Sequence, residues 1–186
     1  VDKNDGSYEV TLLPTVTGQY TVHAQLSGRQ IAESPHRFTV TAAATDASLC
    51  VVSGSGLMSL TAGEEATFTV ATYDSYGNKR TSGGDVFTVQ VASEAMTVDG
   101  VVRDAGDGTY VAAFVCPLAG RYQVHVSCAG QRVGPSPFNV VVSPNRADTA
   151  TLVPVGSSLQ KVVAGEHASF TIIAKDRFGN LLQAGG

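Results

Sequence analysis

Apolar and polar residues alternate along this chain with a period of two. The clearest stretches lie at residues 68–73, 86–91, 110–114 and 122–126. This alternation predicts half-buried β-strands, because successive side chains of a strand point to opposite faces of the sheet. Turn sequences rich in glycine, proline and asparagine separate the stretches, and no segment predicts a stable helix. Six or seven short strands in about 100 residues predict an all-β sandwich.

The chain repeats itself at an offset of 102 positions, with residues 1–84 returning at residues 103–186 without insertion or deletion. A period this long corresponds to one small domain, because solenoid repeats are much shorter. The repeat predicts three units. Residues 1–42 are expected to be the C-terminal half of one module, residues 45–143 a complete central module, and residues 147–186 the N-terminal half of a third module.

Strand parity predicts the core of the central module. Each strand has one apolar row that should face inward, and a register slip of one residue would expose it. The inward set is Cys50, Val52, Phe68, Val70, Thr72, Phe87, Val89, Val91, Tyr110, Ala112, Phe114, Cys116, Tyr122, Val124, Val126 and Cys128. Tyr20 and Tyr122 each follow a Gly-x pair after a turn. This placement predicts a tyrosine corner, in which the phenol bonds back to the preceding loop.

A combined pattern of turns and strands runs through Asp46-Ala47-Ser48, Gly54-Ser55-Gly56-Leu57, Ala62-Gly63-Glu64, Asp74 to Asn78, Gly83-Gly84-Asp85, Asp104 to Tyr110, Pro117 to Val126 and Gly130 to Val142. This pattern resembles a filamin-type immunoglobulin-like repeat. The resemblance covers the whole chain through the 102-residue offset, and it implies a seven-stranded Greek-key sandwich. His36, where the family has Phe, and a displaced Pro14 are departures from the pattern.

The resemblance also implies a mode of partner binding. A partner peptide would add as an extra strand along the exposed edge of strand C, at residues 86–92, with its side chains in the groove between strand C and strand D, at residues 95–102. The outward positions of strand C are Val86, Thr88, Gln90 and Ala92. Because these side chains are small or polar, they offer little apolar area to a ligand. Contact with neighbouring chains of a fixed assembly is therefore the favoured alternative.

The cysteines indicate a reducing compartment. An antibody-type domain has a core Trp packed on a disulfide, whereas this chain has no Trp and only Cys50, Cys116 and Cys128. Cys116 and Cys128 should lie toward opposite ends of the sandwich, too far apart for a disulfide. Free thiols and the absence of an Asn-x-Ser/Thr sequon favour a cytoplasmic location over an extracellular one.

Charge and motifs predict no binding of nucleic acid, no binding of membranes and no catalytic site. The net charge is −4, without a basic cluster of the kind that nucleic acids or anionic membranes require. Residues 2–6 resemble the start of a calcium loop, but Leu13 stands where a bidentate Glu is needed. Asp74 to Asn78 is interpreted as an ordinary Asx-Gly turn, and no nucleophile elbow is present. We therefore expect no enzyme activity, no cofactor and no metal.

The linkers complete the functional hypothesis. Residues 41–45 and 143–147 leave only five residues between successive modules, which predicts a semi-rigid rod. The resemblance implies a non-enzymatic structural and scaffolding protein in a cytoskeletal assembly, either actin-based or ciliary, whose partners are other proteins of that assembly. An extracellular cell- or gamete-adhesion ectodomain is the main alternative, and the accessory domain of an enzyme such as a ligase is a third.

Overall fold

The computed structural model describes residues 1–184, in which all the regular structure consists of β-strands and four single-turn 3₁₀ helices. The first segment contains β1 (Gly18–Val22), β2 (Gln25–Leu26), β3 (Arg29–Gln30) and β4 (His36–Val40). The central module contains β5 (Val51–Ser53), β6 (Ser59–Thr61), β7 (Glu65–Ala71), β8 (Phe87–Ala92), β9 (Thr97–Asp104), β10 (Thr109–Val115), β11 (Gly120–Cys128), β12 (Gln131–Arg132) and β13 (Phe138–Ser143). The third segment contains β14 (Val153–Val155) and β15 (Thr171–Ile173), and the 3₁₀ helices are Ala47–Leu49, Ser55–Leu57, Thr149–Thr151 and Ser157–Leu159.

The central module is a sandwich made from one curled sheet. Its strands follow the order β5-β7-β10-β9-β8-β11-β13-β6, with β12 beside β11. All neighbours are antiparallel except β13 and β6, which run parallel. Strand β9 joins the two layers, because residues 97–100 pair with β8 whereas residues 101–104 pair with β10. The predicted all-β immunoglobulin-like fold is therefore confirmed.

The core of the central module matches the predicted inward rows. Of the sixteen predicted residues, only Val52 is half-buried, and the other fifteen are buried. The Phe68 and Phe114 rings meet edge to face with centroids 6.4 Å apart, a favourable aromatic geometry. Period-two parity thus assigns the two faces of these strands correctly.

The three cysteines are buried and form no disulfide. Burial raises the pKa of all three thiols, to about 11 for Cys128. Since the thiolate is the reactive form, these side chains act as small apolar core residues.

Both tyrosine corners are confirmed. The Tyr122 hydroxyl donates to the Leu118 carbonyl oxygen at 2.9 Å, and the Tyr20 hydroxyl donates to the Val16 carbonyl oxygen at the same distance. The corner therefore fixes the loop that precedes β11 in the central module and its counterpart before β1. This loop, residues 116–119, contributes to the site described below.

Replacing Tyr122 with phenylalanine should lower the free energy of unfolding by about 1 kcal/mol, because the carbonyl of Leu118 loses its donor. Thermal or urea unfolding of the 186-residue chain measures the change. Tyr76→Phe is the matched control, since the Tyr76 side chain is 57% exposed and should tolerate loss of the hydroxyl. Equal unfolding curves for Tyr122→Phe and the parent chain would show that the corner bond contributes nothing.

The flanking segments expose residues whose counterparts in the central module are buried. Tyr8 is 74% exposed and Phe170 is 54% exposed, whereas Tyr110 and Phe68 at the equivalent positions are 1% and 2% exposed. This contrast is expected if each segment is half of a sandwich whose other half is not in the chain. The division into half, whole and half modules stays a prediction.

Candidate functional site

Three of the four predicted partner-binding residues lie in strand β8 and Val86 directly precedes it, but the four do not form a pocket. Val86, Thr88 and Gln90 are exposed, and Ala92 is half-buried. The strand begins at Phe87 and not at residue 86, and strand D spans Thr97–Asp104 and not 95–102. An open groove of about 760 Å³ on the outer face of β8, β11 and β13 includes Ala92 alone of the four.

The expectation that the edge of strand C is exposed is wrong for most of its length. Residues 89–92 of β8 pair with residues 97–100 of β9. A tight turn brings the two strands together, with the Ser93 amide donating to the Met96 carbonyl at 2.8 Å. Met96 and Val98 also pack against the core, which holds this part of β9 in place. Only residues 86–88 of the strand C edge lie outside the pairing.

Residues 1–184 contain no group of three His, Cys, Asp or Glu side chains arranged to hold a metal ion. Within the same residues, no helix has the length and apolar character needed to cross a bilayer.

The junctions between modules form a second candidate site, and the same arrangement occurs at both. We call residues 74–78 and 176–180 the Asp–Asn turns. Each turn follows strand β7 or its counterpart β15, and each begins with a buried aspartate, Asp74 or Asp176. The aspartate accepts two backbone N–H groups of its own turn, which gives the turn a fixed shape.

Each aspartate also anchors the linker. The Ala43 amide donates to Asp74 Oδ2 at 2.9 Å, and the Asn145 amide donates to Asp176 Oδ2 at the same distance. Ala43 and Asn145 are themselves 102 positions apart, so the two bonds are copies of one interaction. The linkers are therefore bonded to the module that follows them.

The asparagine that ends each turn contacts the preceding module. Asn78 Nδ2 donates to the Thr15 carbonyl at 2.8 Å, and Asn180 Nδ2 donates to the Pro117 carbonyl at 2.8 Å. In return, the Thr17 amide donates to Asn78 Oδ1 at 3.0 Å. The Ala119 amide donates to Asn180 Oδ1 at 2.8 Å. Each junction thus has a two-bond bridge between modules.

The second junction adds an apolar contact. Phe178, within its Asp–Asn turn, is half-buried and packs against the core of the central module. Its ring lies directly over Gly63, so that a Cβ at this position would overlap it. Asn145 Nδ2 also donates to the Ala62 carbonyl at 2.9 Å. The turn and linker therefore contact the central module at two separate loops.

The first junction has a different addition. Arg80 Nη1 donates to the Ala43 carbonyl at 2.7 Å, and its guanidinium lies near the Asp85 carboxylate, with Nε and Oδ2 3.7 Å apart. Asp85 in turn accepts from the Thr45 hydroxyl at 2.7 Å. Two residues of this linker, Ala43 and Thr45, are therefore bonded to side chains of the central module.

Burial alone would raise the pKa of Asp74, but the hydrogen bonds from Asn78, Ala43 and Tyr76 outweigh it and lower the pKa to about 2. For Asp176 burial likewise acts to raise the pKa, and bonds from Asn180, Asn145 and Phe178 lower it overall. Hydrogen bonds that favour the charged form account for both shifts. The two carboxylates are thus ionised hydrogen-bond acceptors near neutral pH.

Comparison with known proteins identifies the central module. A profile described as the Filamin/ABP280 repeat matches residues 44–139, which is 96 of the 186 residues. The chain belongs to the filamin repeat family. The matched range coincides with the central module up to β13, so the two junctions lie at the boundaries of a filamin repeat.

Two relatives and one solved structure are similar to this chain. Filamin-C of Rattus norvegicus is 29% identical over 185 residues, covering 94% of this chain and 6% of that protein. The dynein alpha chain of the flagellar outer arm of Chlamydomonas reinhardtii is 41% identical over 97 residues, covering 50% of this chain and 2% of that protein. The structure of FdeC, an Escherichia coli adhesin, superposes with a TM-score of 0.63 at 24% identity, covering 90% of this chain and 53% of that chain. At this identity the last match shows the fold alone.

Sequence reasoning missed the role of the Asp–Asn turns. It interpreted Asp74 to Asn78 as an ordinary turn, and the turn geometry is indeed present. The recurrence of Asp and Asn at both copies is the available signal, but a recurring turn motif does not reveal that its asparagine contacts a distant loop of the preceding segment. That contact joins residues 61 or 63 positions apart.

The Asp74 carboxyl should titrate with a midpoint near pH 2. Because this pKa is depressed in the folded state, the turn contributes stability above the unfolded value of about 4. This contribution is then lost as the pH falls toward 2. Carbon-detected NMR of the side chain measures the midpoint. Asn78→Ala removes one of the donors and should raise it, whereas a parent midpoint near 4 would contradict the arrangement.

Proposed function

We propose that this chain is part of a non-enzymatic scaffold of the cytoplasm, in which filamin repeats form a semi-rigid spacer and protein-interaction unit within a cytoskeletal assembly. One observation carries the proposal. The same junction recurs at both ends of the central module, with the aspartate bonded to the linker and the asparagine bonded to the preceding repeat. Repeats held in this way keep a fixed direction over distance, which a spacer requires.

The relatives support a cytoskeletal setting. The family resemblance implies an actin-based or a microtubule-based assembly, and the match to a flagellar outer arm dynein chain supports the ciliary version. The chain spans only 6% of Filamin-C and 2% of the dynein chain. The activities of those whole proteins therefore do not transfer to it.

Adhesion outside the cell is the second candidate. The fold similarity to the FdeC adhesin extends over 90% of this chain, so chains of this architecture are known at a cell surface. The two candidates differ in location and can be separated by labelling.

Proximity labelling of the full-length protein in the cells that make it tests the proposal. We expect the labelled neighbours to be cytoskeletal proteins and the protein itself to stay unmodified by a membrane-impermeant biotin reagent on intact cells. If the reagent modified the protein on intact cells and the labelled neighbours were surface proteins, the result would contradict the scaffold proposal and favour adhesion.

Partner binding along strand C remains part of the proposal, in a narrower form. A partner strand could pair with residues 86–88 directly, or it could replace residues 97–100 of β9 along the rest of the edge. A photo-crosslinking residue at Thr88 should capture the partner, and the same residue at Thr67, on the opposite layer, should not. Capture from position 67 alone would exclude the strand C surface.

A further inference from the structure

We infer that the first segment and the central module each carry a backbone binding site for a primary carboxamide, in the loop before strand β1 or strand β11. The ligand is the asparagine that ends the Asp–Asn turn of the next repeat. In the central module the site consists of the Pro117 carbonyl and the Ala119 amide, both of which bond Asn180 at 2.8 Å. In the first segment the Thr15 carbonyl and the Thr17 amide bond Asn78 in the same way.

The receiving loop bonds the asparagine through backbone atoms alone. Thr15 and Thr17 of the first segment correspond to Pro117 and Ala119 of the central module, and the bonds are the same although the side chains differ. Recognition therefore depends on loop shape. The tyrosine corner supplies that shape, because the Tyr122 hydroxyl bonds the Leu118 carbonyl between the two site atoms.

Only a carboxamide satisfies the site. The asparagine must donate to a carbonyl and accept from an amide, and it must also donate to the turn aspartate, since Asn180 Nδ2 lies 2.8 Å from Asp176 Oδ2. A carboxylate would place an oxygen against both the Pro117 carbonyl and the Asp176 carboxylate. An aliphatic side chain would leave the Ala119 amide without an acceptor, which is costly for a shielded group.

The aspartate fixes which end of the amide group faces which partner. A carboxylate only accepts, so the NH₂ end of Asn180 must point toward Asp176, and the oxygen then faces the Ala119 amide. The ligand is thus oriented within its own turn before it meets the preceding repeat. Such preorganisation reduces the ordering cost of docking.

The inference deepens the proposed spacer function and rests on it for its biological meaning. It assigns the two-bond bridge of each junction to a single side chain and its aspartate partner. A repeat with another residue in place of this asparagine would lack the bridge and would keep only the other contacts of its junction, such as that of Phe178 with Gly63. The residue at this position would then distinguish junctions that have the bridge from junctions that lack it along a longer chain.

A direct measurement on the unmodified 186-residue chain tests the site. NMR detection of the scalar coupling across the hydrogen bond should connect the Ala119 amide nitrogen with the Asn180 side-chain carbonyl carbon. The same experiment should connect Thr17 with Asn78. Absence of both couplings, with the amides of β11 well resolved, would overturn the inference. This readout concerns binding alone, so its failure is distinguishable from failure of the cytoskeletal proposal.

Substitution supplies the second test. Asn180→Ala removes the acceptor of the Ala119 amide, and it should raise the hydrogen-exchange rate of that amide by about tenfold. The Val126 amide, which bonds Ser136 Oγ inside the module, should be unchanged. Asn139→Ala, on the exposed face of β13, is the matched control and should leave Ala119 protected. Equal Ala119 exchange in Asn180→Ala and the parent chain would overturn the inference.

Discussion

Replacing Phe68 with alanine will lower the free energy of unfolding of the central module by about 3–5 kcal/mol. The Phe68 ring is 2% exposed and meets the Phe114 ring of the neighbouring strand β10 inside the core. Its removal takes away apolar area and leaves a cavity that two hydrogen-bonded layers cannot close. Urea unfolding followed by circular dichroism measures the loss, and the transition midpoint should fall with little change in slope.

Phe170 occupies the equivalent position of the third segment and provides the control. Because Phe170 is 54% exposed in this chain, Phe170→Ala should change stability by no more than about 0.5 kcal/mol. The pair therefore tests whether the central module is complete while its neighbour is not. Similar losses for both substitutions would mean that the third segment has a core of its own, which contradicts the division into modules.

Replacing Gly63 with alanine will loosen the contact between the third segment and the central module. Gly63 has a φ of +76°, and its Cα faces the Phe178 ring at the second junction. A methyl group there must displace the ring, and the left-handed backbone adds a strain of about 1–2 kcal/mol. Distances between spin labels at Gln90 and Gln160 should change from a narrow distribution to a broad one.

Gly165→Ala controls for the backbone effect. Gly165 is the equivalent residue of the third segment, with a φ of +89° and no atom within 4 Å of an added Cβ. It should show a similar strain but keep the narrow distance distribution. If both variants kept the parent distribution, Phe178 would not hold the junction. Labelling is straightforward because the three native thiols are buried.

The sandwich could be predicted from the sequence because its determinants are local. Alternation at Phe68 to Thr72 and at Tyr122 to Val126 fixes which face of each strand is buried, whatever the neighbours are. The tyrosine corner could be predicted for the same reason. It joins Tyr122 to Leu118, four residues away, and a glycine marks the turn between them.

The path of strand D could not be predicted in this way. The structure pairs the first half of β9 with β8 and the second half with β10. Parity specifies the two faces of a strand but not its hydrogen-bonding neighbours. The strand C edge was therefore expected to be free, although residues 97–100 cover much of it.

The junctions were only partly predictable. The linker lengths indicated restricted motion, but the bonds that produce it involve Asn78 with Thr15 and Asn180 with Pro117. These bonds are long-range and use backbone atoms on the receiving side, so residue identity there carries no signal. The same long-range bond occurs at both copies of the motif in the structure, whereas the motif in the sequence indicates only a turn.

The most direct test of the account is the rotational motion of the three parts of the chain. Amide ¹⁵N relaxation of the 186-residue chain reports it for residues 18–40, 51–143 and 153–182. One anisotropic diffusion tensor should fit the ordered amides of all three ranges, because fixed junctions make them turn together. Separate, shorter correlation times for the flanking segments would contradict the claim that these filamin repeats are held in a fixed direction.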